Sequence, residues 1–496
     1  MKILLALLLF VSSTFAQTAK LKIIHFNDVH AQNTPLTIKR GDSTIRVGGF
    51  AHFKTVIDSL RGVASANGEG VLVLGAGDDF QGTLFSTMTR GASQISLINH
   101  LSPDAVTLGN HEFDYGWENI DSLVKYQVKY PVVSSNLYYK NGKRMVKPYL
   151  IKEVSGVRVA IIGMMTDNLP GVTLPRNIED IKIEKEAVAL RKILPHVKKE
   201  KPDVIVVLSH IGLESDMKLA EGFPEVDLFV GGHSHTAIHT PRKKGRSIIV
   251  QADCKTRHIG ELDVTVSTAK NRITQYSGKL IEVRSDERRA DPIAQAMIDS
   301  MSVPIEKMFG DTIGTLANDW KKTGLNSNIT TWHAKALREA VNADIGIMNT
   351  GGIRKNLSAG NITIRDMYEI NPFNNQIIVY QATGKELHAM LEFYFSDKGS
   401  ERCEFNGLYC VVDKTKADGE RVGTIKIGGE DIRMKQIYSI SANSFVSEQM
   451  EPIFGVKLSN PSFLETGVTD ISAYINAVKT EKVITGKVYE WVKLKE

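Results

Sequence analysis

Cysteine is scarce. Three in 496 residues allow at most one intramolecular disulfide, so the fold must rest on its core and not on covalent staples. Cys403 and Cys410 are close enough in sequence to close one loop in an oxidising compartment, which would leave Cys254 as a buried thiol. Long apolar runs are missing beyond the N-terminus, so no later segment reads as a transmembrane helix. No cysteine follows the first apolar run, which argues against a lipoprotein anchor. Charge is nearly balanced: the net value is +5 and the 61 basic residues are scattered. That distribution gives no support for polymeric nucleic acid as a partner. Internal repeats and low-complexity segments are absent too. An apolar content of 42% with 24% charged residues is that of an ordinary globular protein.

The one distinctive terminus is the first. Met1-Lys2 supplies positive charge, Ile3 to Val11 an apolar core, and Ser12 to Ala16 a small-residue exit. About nine apolar residues are too few to span a bilayer, and the pattern is that of a secretory signal peptide cleaved after Ala16. The expected location is therefore the periplasm or the exterior. The remaining chain exceeds the length at which one core stops growing, so two or more domains are expected.

From Leu21 to about Ile281 one pattern recurs: a short apolar run, a polar or glycine-rich loop, then an amphipathic stretch. Leu21–Phe26, Val71–Leu74, Val106–Leu108, Val204–Leu208 and Val226–Val230 read as strands. Behind them stand, in turn, Asp28 and His30; Asp78; Asn110, His111 and Asp114; His210; and His233 with His235. Gly49–Leu60 and Glu184–Glu200 read as helices between strands. In α/β sheets ligands bind outside the carboxyl ends of strands, where such loops converge. Any one of these polar residues is explained by a turn, since Gly109-Asn110 is a common turn opener; the set of five loops is not. Mixed carboxylate, imidazole and amide donors without a thiolate suit Zn, Mn, Co or Fe(II). Seven ligands exceed one tetrahedral zinc but match two ions roughly 3.5–4 Å apart sharing a carboxylate. His111 then remains to donate a proton or hydrogen bond, with Asp114 to orient it.

Arg284–Phe309 turns polar and helical and is expected to link two domains. Beyond it, Ile329–Val341 reads as a helix and Asp344–Met348 as a strand. Gly351-Gly352-Ile353-Arg354 pairs glycines with an arginine able to grip an anion, although a hairpin turn with a solvated arginine explains those residues equally. Asn371-Pro372-Phe373-Asn374-Asn375 reads as a plain turn.

Taken together, Asn27-Asp28-x-His30, Gly77-Asp78, Gly109-Asn110-His111-Glu112-Phe113-Asp114, Ser209-His210 and Gly232-His233-Ser234-His235 resemble the calcineurin-like metallophosphoesterase motifs, in the same order. Gly351–Arg354, Asn371-Pro372-Phe373-x-Asn375 and Ala382-Thr383-Gly384-Lys385-Glu386-Leu387 resemble the 5′-nucleotidase C-terminal domain. The whole mature chain is thus similar to the bacterial periplasmic 5′-nucleotidase and UDP-sugar hydrolase family. The resemblance implies an α/β protein. Residues 20–283 would form a four-layer αββα sandwich, 284–309 a linking helix, and 310–496 an α/β substrate-binding domain. It implies one metal on Asp28, His30, Asp78 and His235, and a second on Asp78, Asn110, His210 and His233. His111 and Asp114 would be a catalytic dyad, and Arg354, Phe405 and Phe454 would bind substrate. His235 stands where relatives often have Gln. The turn that normally precedes the second base-stacking ring is missing from Ser447–Phe454. The implied activity is hydrolysis of 5′-nucleotides by a hydroxide generated at two divalent ions. The alternatives are a UDP-sugar pyrophosphohydrolase, a 2′,3′-cyclic-nucleotide phosphodiesterase, and, from another class, a secreted binding protein with a purely structural metal.

Overall fold

The computed structural model of the protein describes residues 18–455 and 464–495. The signal segment at 1–16 lies outside the described residues. Two six-stranded sheets dominate the N-terminal half. The first runs in the order Arg272–Glu282, His258–Ser267, Thr18–Phe26, Gly70–Gly75, Ala105–Thr107, Val132–Val133. The second runs Arg242–Lys244, Ser247–Val250, Leu228–Val230, Val204–His210, Val157–Met165, Tyr149–Val154.

Their inner strands are apolar on both faces, and the two-residue period shows where each face goes. Leu21, Ile23, Leu72 and Leu74 meet Val159, Ile161, Val204, Val206 and Leu208 between the sheets. The intervening Ile24, Phe26 and Val73 pack outward on helices Phe50–Ala66, Ala92–Leu101 and Pro292–Phe309. Ile205 and Val207 pack outward on Glu186–Lys199 and Leu213–Gly222. The result is a four-layer αββα sandwich, and double burial explains why these strands read as continuous apolar runs and not as alternation.

Within the sandwich, Thr18–Phe26, Gly70–Gly75 and Ala105–Thr107 are mutually parallel. Val204–His210 is parallel to Leu228–Val230. Each of these five strands therefore ends in one of the polar loops.

The helix expected from Arg284 begins instead at Pro292. Asp291 accepts a hydrogen bond from the Ala294 amide at 2.7 Å, and proline occupies the first helical position, so helix geometry starts there. Arg284 before it bridges Val47 and precedes a turn, paired with Asp286 and Glu287.

The C-terminal half centres on a five-stranded sheet ordered Cys403–Asn406, Ile345–Asn349, Ile437–Asn443, Gln376–Thr383, Leu464–Thr469. A four-stranded sheet carries Leu408–Val412 and Val422–Ile427. The Thr383–Leu387 motif is a helix start: the Thr383 hydroxyl accepts from the Glu386 amide at 3.2 Å, and Glu386 accepts the Thr383 amide at 2.7 Å.

Two sequence expectations fail in this half. Phe405 and Phe454, expected to stack on substrate, are 1% and 0% exposed and belong to the core. Phe405 lies 4.6 Å from Trp491, and Phe454 stacks on Tyr394 at 5.7 Å, ring centre to ring centre. Every residue of Cys403–Asn406 is buried, so the strand has no free face on which a ring could meet a ligand. The Cys403–Cys410 bridge, which the sequence left open, is not formed. The two thiols are buried in different sheets, and Cys254 is likewise free.

Candidate metal centre

The five strand-end loops meet on one edge of the sandwich. Their approach is close enough to need glycine: a Cβ at Gly109 would stand 2.1 Å from Asp78 Oδ1, and one at Gly232 would stand 2.6 Å from the Ala76 carbonyl. Asp28, His30, Asp78, His233 and His235 all adopt left-handed backbone, with φ of 50°, 49°, 56°, 77° and 52°. That conformation is uncommon for non-glycine residues, and such concentrations of it are held in place by surrounding structure at functional sites. Glu112 supplies one such hold. Its carboxylate accepts the backbone amides of Asp78 (3.0 Å), Asp79 (2.8 Å), Phe80 (3.1 Å) and Gly109 (2.6 Å), tying two loops together.

The donor atoms converge. One atom each from Asp28, His30 and His235 lies within 4.8 Å of the others, and the same holds for Asp78, His210 and His233. His30 and His235 bring their Nε2 atoms to 3.0 Å, and His235 Nε2 is 3.2 Å from Asp28 Oδ1. His210 Nε2 is 3.1 Å from Asp78 Oδ2. On the far side of their rings, His30 Nδ1 is bonded to the Gln81 carbonyl at 2.9 Å and His210 Nδ1 to the Ala76 carbonyl at 2.7 Å. A carbonyl only accepts, so each Nδ1 carries a proton and each Nε2 is the atom turned inward; burial opposes charge on His210, but Asp78 outweighs it and raises the ring to about 10. Asn110 joins the same cleft with a buried Oδ1 that receives no hydrogen bond. Imidazoles, carboxylates and an amide oxygen fit borderline divalent ions, and the buried thiol of Cys254 stands beside this set as a hydrogen-bond partner of His235.

Electrostatics divides the histidines. Burial, then the neighbouring His235, holds His30 well below its ordinary pKa. Burial and then His210 lower His233 to about 4. His111 behaves oppositely: burial opposes its charge, but Asp114 and Asp78 outweigh burial and raise it. Asp114 Oδ2 accepts from His111 Nδ1 at 2.7 Å, and the His111 amide donates to Asp78 Oδ1 at 2.9 Å. His111 thus holds its proton more tightly than a free imidazole and faces the cluster of donors.

Above this edge a cleft of about 810 Å³ lies between the halves of the chain. Asp78, Asn110, His111, His233 and His235 line one wall. Arg354, Arg402, Phe373 and Phe445 line the other. Arg354 follows the turn Thr350–Gly352, and its amide donates to the Ile370 carbonyl at 2.8 Å. Lys255 reaches across from the sandwich and donates to the Arg354 carbonyl at 2.8 Å. Phe373, read from sequence as part of a plain turn, places its ring 6.2 Å from that of His111. The motif Asn371-Pro372-Phe373-x-Asn375 carried its signal in the sequence, and its asparagines shape the turn: the Phe373 amide donates to Asn371 Oδ1 at 3.3 Å, and the Asp470 amide to the Asn375 carbonyl at 2.8 Å.

Comparison with known proteins agrees with this division. Residues 21–237 match the calcineurin-like phosphoesterase family, and residues 312–453 match the 5′-nucleotidase C-terminal domain. The 5′-nucleotidase of Vibrio cholerae is 26% identical, with 92% of this chain and 89% of that protein covered. Protein UshA of Yersinia enterocolitica is 24% identical over 96% of this chain and 93% of its own length. The crystal structure of a 5′-nucleotidase precursor from Thermus thermophilus superposes with a TM-score of 0.86 at 26% identity, covering 96% of this chain and 99% of that one. With a phosphoesterase sandwich followed by a 5′-nucleotidase C-terminal domain, the chain belongs to the 5′-nucleotidase family as a metal-dependent hydrolase.

Proposed function

We propose that the protein hydrolyses phosphate monoesters, 5′-nucleotides foremost, at the cleft between its two halves. The carrying observation is the convergence of five strand-end loops on one donor cluster, with His111 bonded to Asp114 beside it and Arg354 opposite. Asp28, His30, Asp78 and His235 would hold one divalent ion, and Asp78, Asn110, His210 and His233 a second. Bound there, such ions supply Lewis-acid charge and make a nucleophilic water available near neutral pH.

The chain's own groups do the remaining work. His111, kept charged and oriented by Asp114, donates to an oxygen of the phosphoryl group as negative charge grows on it. Arg354 binds the same group from the other wall and fixes its approach. Phe373 and Phe445 offer the organic part of the substrate apolar surface.

The burial of Phe405 and Phe454 favours keeping a second reading, in which the same centre cleaves a UDP-sugar or a cyclic nucleotide. Phosphate release from AMP, UMP, UDP-glucose and a 2′,3′-cyclic nucleotide, with and without Mn and after chelation, separates the two. Turnover that ignores the chelator would refute both.

We further take 20–283, 284–309 and 310–496 as the domain division, and we infer export through the segment at 1–16. No helix among the described residues is long and apolar enough to cross a membrane. A mature protein beginning at Gln17, read by N-terminal sequencing, is the expected result.

A further inference from the structure

The cleft wall opposite the donor cluster is cationic, and its charges are left uncompensated. Lys398 and Arg402 both line it, from the loop that precedes the strand Cys403–Asn406. That loop reads Asp397-Lys398-Gly399-Ser400-Glu401-Arg402, alternating acid and base, and the fold sorts the signs. Asp397 is taken by Arg421 at 2.7 Å, and Glu401 is paired with Lys414. Lys398 and Arg402 make no ion pair among the described residues, and neither does Arg354.

The arrangement is held by backbone. Cys403 pairs with Asn349 across the sheet, and Thr350 donates to the Arg402 carbonyl through its amide (2.7 Å) and its hydroxyl (3.1 Å). The turn that presents Arg354 is therefore bonded to the residue that presents the second arginine. Two further cations stand behind Arg354: Lys255 donates to its carbonyl, and Lys322 donates to the Ile353 carbonyl at 3.2 Å. Burial, and next the charge of Arg354, lowers Lys322. Unpaired like charges gathered on one wall repel one another, and an anion in the cleft relieves that repulsion.

One anion, the phosphoryl group, is already assigned to Arg354 and His111. We propose that Lys398 and Arg402 form a second anion subsite, so that the preferred substrates carry a further phosphate besides the phosphoryl group that is hydrolysed. This rests on the phosphohydrolase reading above. It places charge recognition where the aromatic rings expected from sequence are withdrawn into the core. The further phosphate has two possible sources: a neighbouring one, as in a nucleoside diphosphate, or a remote one, as on the 3′-hydroxyl of a nucleotide.

The test compares kcat/KM for AMP, ADP and adenosine 3′,5′-bisphosphate at fixed Mn, in the full chain and in Lys398→Met/Arg402→Met. Both residues are exposed, and their side chains make no hydrogen bond or ion pair among the described residues; thermal unfolding confirms that the variant folds. The wild type should favour at least one doubly phosphorylated nucleotide over AMP by roughly tenfold or more, the scale of charge-assisted hydrogen bonds. The variant should lose most of that ratio, and raising salt should erode it in the wild type. ADP against the bisphosphate tells which source the subsite fits. AMP matching or exceeding both, or a preference that survives in the variant, overturns the proposal. If p-nitrophenyl phosphate and every nucleotide remain intact, the phosphohydrolase reading has failed separately. Calorimetric binding of the bisphosphate against AMP then decides the subsite: a wild-type preference lost in the variant upholds it, and no preference overturns it.

Discussion

Asp78 carries more of the site than any other residue. Its carboxylate accepts the His111 amide, lies 3.1 Å from His210 Nε2, and stands 3.9 Å from His30 Nε2. Burial disfavours its charge, yet His210 and His111 hold its pKa well below the ordinary carboxylate range. Asp78→Asn keeps the shape and removes the charge. The expected outcome is loss of bound metal and of turnover together, read by elemental analysis and phosphate release. His111→Ala should behave differently. It removes a positioned proton donor and leaves the seven residues assigned as ligands in place, so kcat should fall by about 10²–10⁴-fold with metal content unchanged. Loss of metal in that variant would make His111 a ligand instead.

The short loops and strands obey rules their residue types do not announce. Glu112 sits in the motif beside His111, and its two oxygens accept four backbone amides from two loops. Glu112→Ala leaves those buried donors unpaired, each costing about 1–3 kcal/mol. A large fall in Tm and weakened metal binding are expected, with both restored only by a side chain that accepts. Phe405 shows the converse. Read as a stacking residue, it would raise KM when truncated. As a core ring packed on Trp491 and Tyr394, its replacement by alanine should cost about 3–5 kcal/mol of stability and leave the KM ranking of nucleotides as it was. Denaturant titration with parallel kinetics distinguishes these outcomes.

At the scale of the molecule, the sandwich supplies the donors and the C-terminal half supplies the opposing wall. Joining them are the helix Pro292–Phe309, the Lys255–Arg354 bond and a bond from Gln449 to the Pro170 carbonyl at 3.0 Å. Ions bound to a cluster made of five loops stabilise the folded sandwich by mass action. Chelation should therefore lower Tm as well as abolish turnover, and Mn or Co should restore both. An unchanged Tm would mean that the ions contribute nothing to holding the loops.

Much of this was legible in sequence because it is local. An apolar run followed by a polar loop marks a parallel strand end, Thr383 with Glu386 marks a helix start, and imidazoles with carboxylates and no thiolate mark the ion class. Residues 18–26, 70–75, 105–107, 204–210 and 228–230 each announced their donors in this way. Tertiary structure alone decided what depends on distant partners. Convergence of the donors required two sheets to pack face to face with their strand ends on a common edge. The strand at Cys403–Asn406 is buried on both faces, so no period in its sequence could reveal that Phe405 points away from the cleft. The loop Asp397–Arg402 is neutral by composition; it becomes a cationic wall only because Arg421 and Lys414, brought in from the chain beyond it, neutralise its acids and leave Lys398 and Arg402 facing the cleft.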